Sequence, residues 1–183
     1  QEGVCAKFLL RGKAMQDRSR NLLRLMDECL NRVWLEDKNR FLQILQEEKA
    51  QVEEALIPAG HRFVDRRLRA RFHLADWGRE HTGGVSYLLF LRYLLDKVHS
   101  DWEAVREDLR KTWAALVNSR GVVANLTAED AGRKQLEPGL RELLAGLPAD
   151  GPEKQAWRVQ CERGAEGMAL PAQVNYVGKA LGL

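Results

Sequence analysis

Cysteine is scarce in this 183-residue chain, and its three examples, Cys5, Cys29 and Cys161, stand far apart. An odd number at such distances argues against a disulfide framework, and the short spacings of zinc or redox motifs are missing. A reducing compartment is the natural setting for such thiols. Long apolar runs are missing as well. The longest, Val85 to Leu95, is interrupted by Ser86 and Arg92 and falls short of the ~20 residues that span a bilayer. No basic leader precedes an apolar core in the opening QEGVCAKFLLRGK, so no secretory signal is read there. The chain does not begin with Met, which suits a mature terminus or an excised piece. A large excess of one charge is absent too: the net +3 does not by itself imply nucleic acid.

What is present is a globular composition, 45% hydrophobic and 30% charged. A chain of this size forms one domain, or one and a fraction, and buries roughly 70% of the surface its unfolded form exposes. Val4 to Arg11 reads as a strand with apolar residues on both faces. From Met15 the period changes, and Leu22, Leu23, Met26, Cys29, Leu30 and Val33 predict an amphipathic helix. A second helix opens near Asp37 and runs through Phe41, Leu45, Val52 and Leu56, until Pro58 and Gly60 break it. Helical spacing resumes at Phe63, Arg67 and Ala70. HTGG resets the chain before an apolar helix over Val85 to Val98.

Ser100 and Glu103 in SDWE predict a capping box ahead of a helix faced by Trp102, Val105, Leu109, Trp113 and Leu116. Gly121 to Ala128 reads as a short strand. LEPGLRELLAGLP predicts a further helix ended by Gly146 and Pro148, and ADGPEKQ reads as a polar connector. Met168 to Leu170 and Gln173 to Ala180 read as extended. In the last of these, Val174, Tyr176 and Gly178 face one way, and Gln173, Asn175, Val177 and Lys179 the other. The expected fold class is therefore α+β: mainly helical, with helices packed on a partial antiparallel or mixed sheet. Strands so few and so separated imply sheets completed elsewhere, whose open edges would promote self-association.

The search for chemistry returns near misses. WGREH, Trp77 to His81, lacks only a first histidine to be His-x-x-Glu-His, the inverted zinc-peptidase motif. An indole cannot ligate zinc, and Glu80 and His81 are better read as residues of an exposed helix end. No two of His61, His73, His81 and His99 have the spacing that brings imidazoles onto one helix face. His61, after Gly60, is positioned to bond loose backbone groups at the helix break. Arg62, Arg66, Arg67, Arg69 and Arg71 could meet phosphate, RNA or an acidic partner. The preferred reading is a solvated or domain-facing surface paired with Glu47, Glu48, Glu53 and Glu54. Gly12 and Lys13 lack the first glycine and the following Ser or Thr of a P-loop. The five tryptophans read as filling for the core or for a seam between domains. No residue is assigned a catalytic, cofactor-binding or metal-binding role.

The order of segments carries more. FLLRGKAM, EEKAQVEEALIPAGHRF, HTGGVSYLLFL, VVANLTAED and LPAQVNYVGKA together resemble the presequence proteases of mitochondria and plastids, zinc metallopeptidases of the pitrilysin family. The resemblance covers nearly all of the chain. It implies that residues 1–150 are the helix-rich part of a third domain, 151–165 a linker, and 166–183 the first strand region of the last domain. The parent would degrade cleaved targeting presequences and other short unstructured peptides, enclosed between two halves. Its zinc would be held upstream of Gln1, and its substrate-steadying Arg and Tyr would lie downstream of Leu183. Tyr176 is not that tyrosine, and WGREH is not that zinc motif. This piece would be a non-catalytic wall of the chamber without zinc of its own. Its partners would be the remaining domains and peptide substrates, with neither nucleic acid nor membrane among them. The mitochondrial matrix or chloroplast stroma is the implied compartment. A stand-alone helical module that grips an acidic partner or RNA through Arg62 to Arg71 is the alternative.

Overall fold

The computed structural model describes residues 7–151 and 164–181. A 3-10 turn, Gln16–Arg18, precedes seven helices: α1 Ser19–Asn31, α2 Lys38–Leu56, α3 Gly60–Arg69, α4 Leu74–His81, α5 Val85–Ser100, α6 Trp102–Leu116 and α7 Asp130–Ala145. They fall into two compact units whose described residues are 37–105 with 164–181, and 7–36 with 106–151.

The first unit is built on the packing of α2 against α5. The start of α2 is fixed by Asp37, whose carboxylate accepts from the Arg40 amide at 2.9 Å. The half-buried pair Lys49–Glu53 adds an (i, i+4) bridge at 3.0 Å, and Glu53 also holds Arg92 of α5 at 2.7 Å. The inner side of α2 buries Leu45 and Leu56, and α5 answers with Leu88, Leu91 and Val98. Fully burying such a side chain contributes roughly 1.5–3 kcal/mol. Pro58 ends α2 as expected, and α3 begins two residues later. The helical spacing from Phe63 to Gly78 is not one helix: the chain leaves α3 at Ala70 and starts again as α4 at Leu74.

Ser100 does not form the predicted capping box. It is the last residue of α5, and its hydroxyl donates to the Asp96 carbonyl at 2.9 Å. The start of α6 is held instead by Asp101, which accepts from the Ala104 amide at 3.1 Å. A carboxylate is the stronger acceptor for an amide of that first turn.

In the second unit α1 packs against α7. The two approach where Gly139 leaves room: a Cβ there would stand 2.9 Å from the Leu23 methyl. α7 starts at Asp130, six residues before the predicted stretch, and carries Pro138 inside it. Trp113 of α6 donates its indole N–H to the Leu30 carbonyl at 3.2 Å, satisfying a group near the C-terminal end of α1. The Phe8 ring meets the same indole edge-on at 6.0 Å.

The α+β expectation is overturned, because the described residues form no strand and no ladder. Residues 7–11 are irregular, while the rest of the expected first strand lies outside the described residues, as do Cys5, Cys161 and most of the polar connector. Gly121 ends a turn at φ 78°, a value that favours glycine. Val122 and Val123 after it are 45% and 78% exposed. Residues 168–170 and 173–180 are irregular too. The helices bury their apolar stripes against one another; Tyr176 and Gly178 of the last segment meet α3, whereas residues 121–128 are almost all exposed. Open strand edges are therefore no ground for self-association among these residues.

Leu88, fully buried on α5, and its half-exposed neighbour Leu89 test this core. Leu88→Ala is expected to lower stability by about 2–5 kcal/mol, and Leu89→Ala by no more than about 0.5 kcal/mol. Urea unfolding followed by circular dichroism separates the two.

Candidate functional site

Glu80 and three of the arginines singled out from the sequence, Arg66, Arg67 and Arg69, come together in the first unit, where α3, α4 and α5 meet. Glu80, in the last turn of α4, is fully buried. Its Oε1 accepts from the Ser86 amide at 3.0 Å and from Arg67 Nη1 at 3.3 Å. The same Arg67 nitrogen donates to the Ser86 hydroxyl at 2.7 Å. Ser86 stands in the first turn of α5, whose amides have no intrahelical acceptor. The residue before that helix is Gly84, which offers no side-chain cap. Glu80 supplies the missing acceptor from the preceding helix. Gly84 is needed as glycine for a second reason: a Cβ there would overlap the Glu80 carboxylate. Oε2 faces that space and has no hydrogen-bond partner among the described residues.

The arginines of α3 surround this pair. Arg66 donates to the Gly83 carbonyl, in the turn between α4 and α5. Arg69 reaches Asp76 at 3.2 Å, and Arg79 reaches it at 3.0 Å. Burial pushes the Asp76 carboxyl up, but the hydrogen bonds from Arg69 and Arg79 outweigh it and leave the group below 3.8. Outside α3, Glu166 pairs with Arg67 Nε at 2.8 Å and Nη2 at 3.1 Å, and with Arg71 at 3.2 Å. The Arg67 hydrogen bond holds the Glu166 carboxyl below 4.5 against a smaller opposing effect of burial, with Arg71 adding to it. Arg71 also donates to the Gly164 carbonyl.

The expected pairing of the basic stretch with α2 is not found, and Arg62 and Arg69 remain exposed. Of the expected carboxylates, Glu53 goes to Lys49 and Arg92, Glu48 accepts from Tyr87, and Glu47 from Gln43. Arg66, Arg67 and Arg69 instead join α3 to α4, to the α4–α5 turn and to Glu166, and Arg71, just past the end of α3, joins residues 164 and 166. An RNA or acidic partner would have to displace these bonds.

WGREH does not suit zinc. Glu80 turns into the interior, whereas His81 is exposed, with Nδ1 2.9 Å from the Trp77 carbonyl. The Trp77 indole stacks on the His81 ring at 3.9 Å between centroids. The reading of Glu80 as an exposed helix-end residue was wrong. An isolated glutamate gives no sign of the distant arginine that pairs with it. Nor is His61 the residue that bonds the broken helix. The Tyr176 hydroxyl does so, donating to the Ile57 carbonyl at 2.5 Å while its ring covers Gly60, where any Cβ would collide with it. His61 stands beside that ring, 6.2 Å between centroids. The alternation of residues 173–180 was the signal for Tyr176.

In the second unit, Gly12 lies under Leu22 and Met26, so its lack of a side chain serves packing rather than phosphate. A cleft of about 350 Å³ is lined by Leu30, Val33, Trp34, Trp113, Val117 and Pro148. Trp34 is 75% exposed at its edge rather than buried in a core. The nearby Glu36 is held by Arg110 and Arg106, whose hydrogen bonds keep its carboxyl below 4.5 against desolvation.

Replacing Glu80 by Ala leaves the Ser86 amide without its acceptor and removes one of the two carboxylates that Arg67 faces, and is expected to cost roughly 1–3 kcal/mol in chemical denaturation. Glu80→Gln, which keeps an acceptor, loses less. Acid acts on Glu166. Its folded carboxyl titrates below the ordinary 4.5, so its contribution is full above that value and lost as pH falls through the folded one. The thermal midpoint of the native chain should fall as pH drops below 4.5, and Glu166→Gln should flatten that part of the curve.

Comparison with known proteins places this geometry. The family model for the peptidase-associated domain of M16 subfamily C matches residues 2–94, about half of the chain. Presequence protease 1, chloroplastic/mitochondrial, from Arabidopsis thaliana is 34% identical over 178 residues, covering 96% of this chain and 16% of that relative. Protein HypA from Clostridium perfringens (strain 13 / Type A) is 21% identical over 167 residues, 91% of this chain and 17% of its own length. The chain thus spans about one sixth of these relatives. The family match takes in α2, α3, α4 and most of α5, so the Glu80–Arg67 junction lies inside it. The chain belongs to the family of domains associated with the peptidases of M16 subfamily C.

Proposed function

We propose that this chain is a non-catalytic part of a zinc metalloendopeptidase that degrades cleaved targeting presequences and other short unstructured peptides. The observation that carries this reading is the likeness to the plant presequence protease, which runs over 96% of the chain yet takes in 16% of that relative. Residues 1–150 form the helical part of a domain in the wall of the peptide chamber. A linker follows over 151–165, and 166–183 enter the next domain. The parent's zinc is held by residues elsewhere in that protein, and its compartment is the mitochondrial matrix or the chloroplast stroma.

The geometry supports a scaffolding role. The charged groups at the α3–α4–α5 junction are engaged with one another, and Glu80, the one carboxylate of the near-miss motif, binds an amide and an arginine in the interior. Such a junction holds helices in register.

The experiment is a hydrolysis assay on the 183-residue chain with an unstructured presequence peptide, with and without added zinc. The expected result is no cleavage above the buffer rate. Chelator-sensitive cleavage would overturn the reading. In the longer protein, Glu80→Gln should lower thermal stability while leaving kcat on a short peptide within about twofold at a temperature where the variant is folded.

A further inference from the structure

Residues 164–181 follow no regular element, yet they are attached to α3 at two places of different chemistry. The first is ionic. Glu166 faces Arg67 with two hydrogen bonds, at 2.8 and 3.1 Å, and Arg71 at 3.2 Å. Arg71 also donates to the Gly164 carbonyl. The second is apolar and close-packed. Tyr176 lies on Gly60 and donates to the Ile57 carbonyl, and Gly178 sits against Val64 and Leu68, where a Cβ would collide with both side chains.

Arg67 belongs to both the attachment and the interior. Its Nε and Nη2 face Glu166, while Nη1 faces Glu80 and the Ser86 hydroxyl. A guanidinium is planar and rigid, so its two edges cannot be oriented independently. When Glu166 holds one edge, the other is aimed at Glu80 at no further entropic cost. When Glu166 lets go, the side chain regains rotamers, and the buried carboxylate loses the cation that offsets its desolvation.

We propose that residues 164–181 are a strap, and that its ionic foot is coupled through Arg67 to the order of the turn between α4 and α5. The coupling is reciprocal, as any linkage between two equilibria must be. The two feet answer to different conditions. Glu166 is 42% exposed, so salt screens the ionic foot. The Tyr176–Gly178 foot rests on packing and one hydrogen bond, and salt leaves it in place. Lifting the first foot frees residues 164–167 and loosens the turn while the second foot still holds. This proposal concerns the chain itself and does not depend on what the longer protein cleaves.

Hydrogen exchange of the full 183-residue chain, read by mass spectrometry, tests it. Glu166→Gln is expected to speed exchange about fivefold or more in peptides covering 83–87 as well as 164–168, with no change in the middle of α2. Tyr176→Phe should speed exchange near 57–60 and 174–180 and leave 83–87 as in the native chain. Raising salt from about 0.05 to 1 M should loosen 83–87 in the native chain and do nothing further in Glu166→Gln. Unchanged exchange at 83–87 in Glu166→Gln, or an equal rise there in Tyr176→Phe, overturns the coupling. Native-chain exchange at 83–87 that ignores salt overturns it independently of any variant.

Discussion

A fully buried glutamate is the constraint around which the first unit is arranged. Taking a carboxylate out of water costs several kcal/mol unless charge and hydrogen bonds replace the solvent. At Glu80 the replacements come from two other elements: the Ser86 amide from α5 and the Arg67 guanidinium from α3. The amide would otherwise go unmet, because Gly84 ahead of α5 has no side chain to cap it. An apolar side chain of similar volume would fill the space but leave the Ser86 amide without its acceptor and Arg67 Nη1 with only the Ser86 hydroxyl. The glycine itself is dictated by the glutamate, whose carboxylate occupies the place of a Cβ. One interaction thus fixes the identity of residues on three helices and the turn between two of them.

The same economy of partners explains the break between α2 and α3. Pro58 interrupts the helix, and the carbonyl of Ile57 needs a donor that the local chain does not provide. Tyr176 supplies it from more than a hundred residues away in sequence. Gly60 then has the double task of opening α3 and admitting the tyrosine ring. Both junctions pair a glycine with a side chain that lies where its Cβ would be, and both use that side chain to satisfy backbone groups at a helix end.

Much of this was legible in the sequence, and the limits have physical causes. Helix positions followed from apolar spacing at 3.6 residues, and the break at Pro58 followed from its missing N–H. Those are local signals. The strands were misread because alternation at period two says that a segment has two unlike faces, not what covers them. Tyr176 and Gly178 do share a face, as their spacing required, but the surface opposite is α3 rather than a neighbouring strand. Ser100 was misread because α5 runs through it and the cap of α6 falls one residue later, where Asp101 accepts from the Ala104 amide. Glu80 could not be recognised as a core residue, since its burial depends on Arg67, thirteen positions earlier and on another helix. The family, by contrast, was carried by the order of several short segments, a signal that survives errors about the structure of any one of them.

The density of arginine between residues 62 and 71, with no lysine among them, now has a mechanical reading. An ammonium is a compact point charge and can neutralise one carboxylate group at a time with no fixed direction. A guanidinium presents donors on separate edges. Arg67 uses them to address an interior glutamate and a surface glutamate together, and Arg71 addresses a carboxylate and a carbonyl. A lysine at 67 would conserve the charge and lose one of the two connections. A cluster that looks like a nucleic-acid footprint by charge alone is therefore distinguishable from one by geometry: here Arg66, Arg67, Arg69 and Arg71 meet the chain's own acceptors. Where helices are held by forked cations rather than by a sheet, positive charge is a sign of internal joints, and exposure of those arginines is the by-product of serving two surfaces at once.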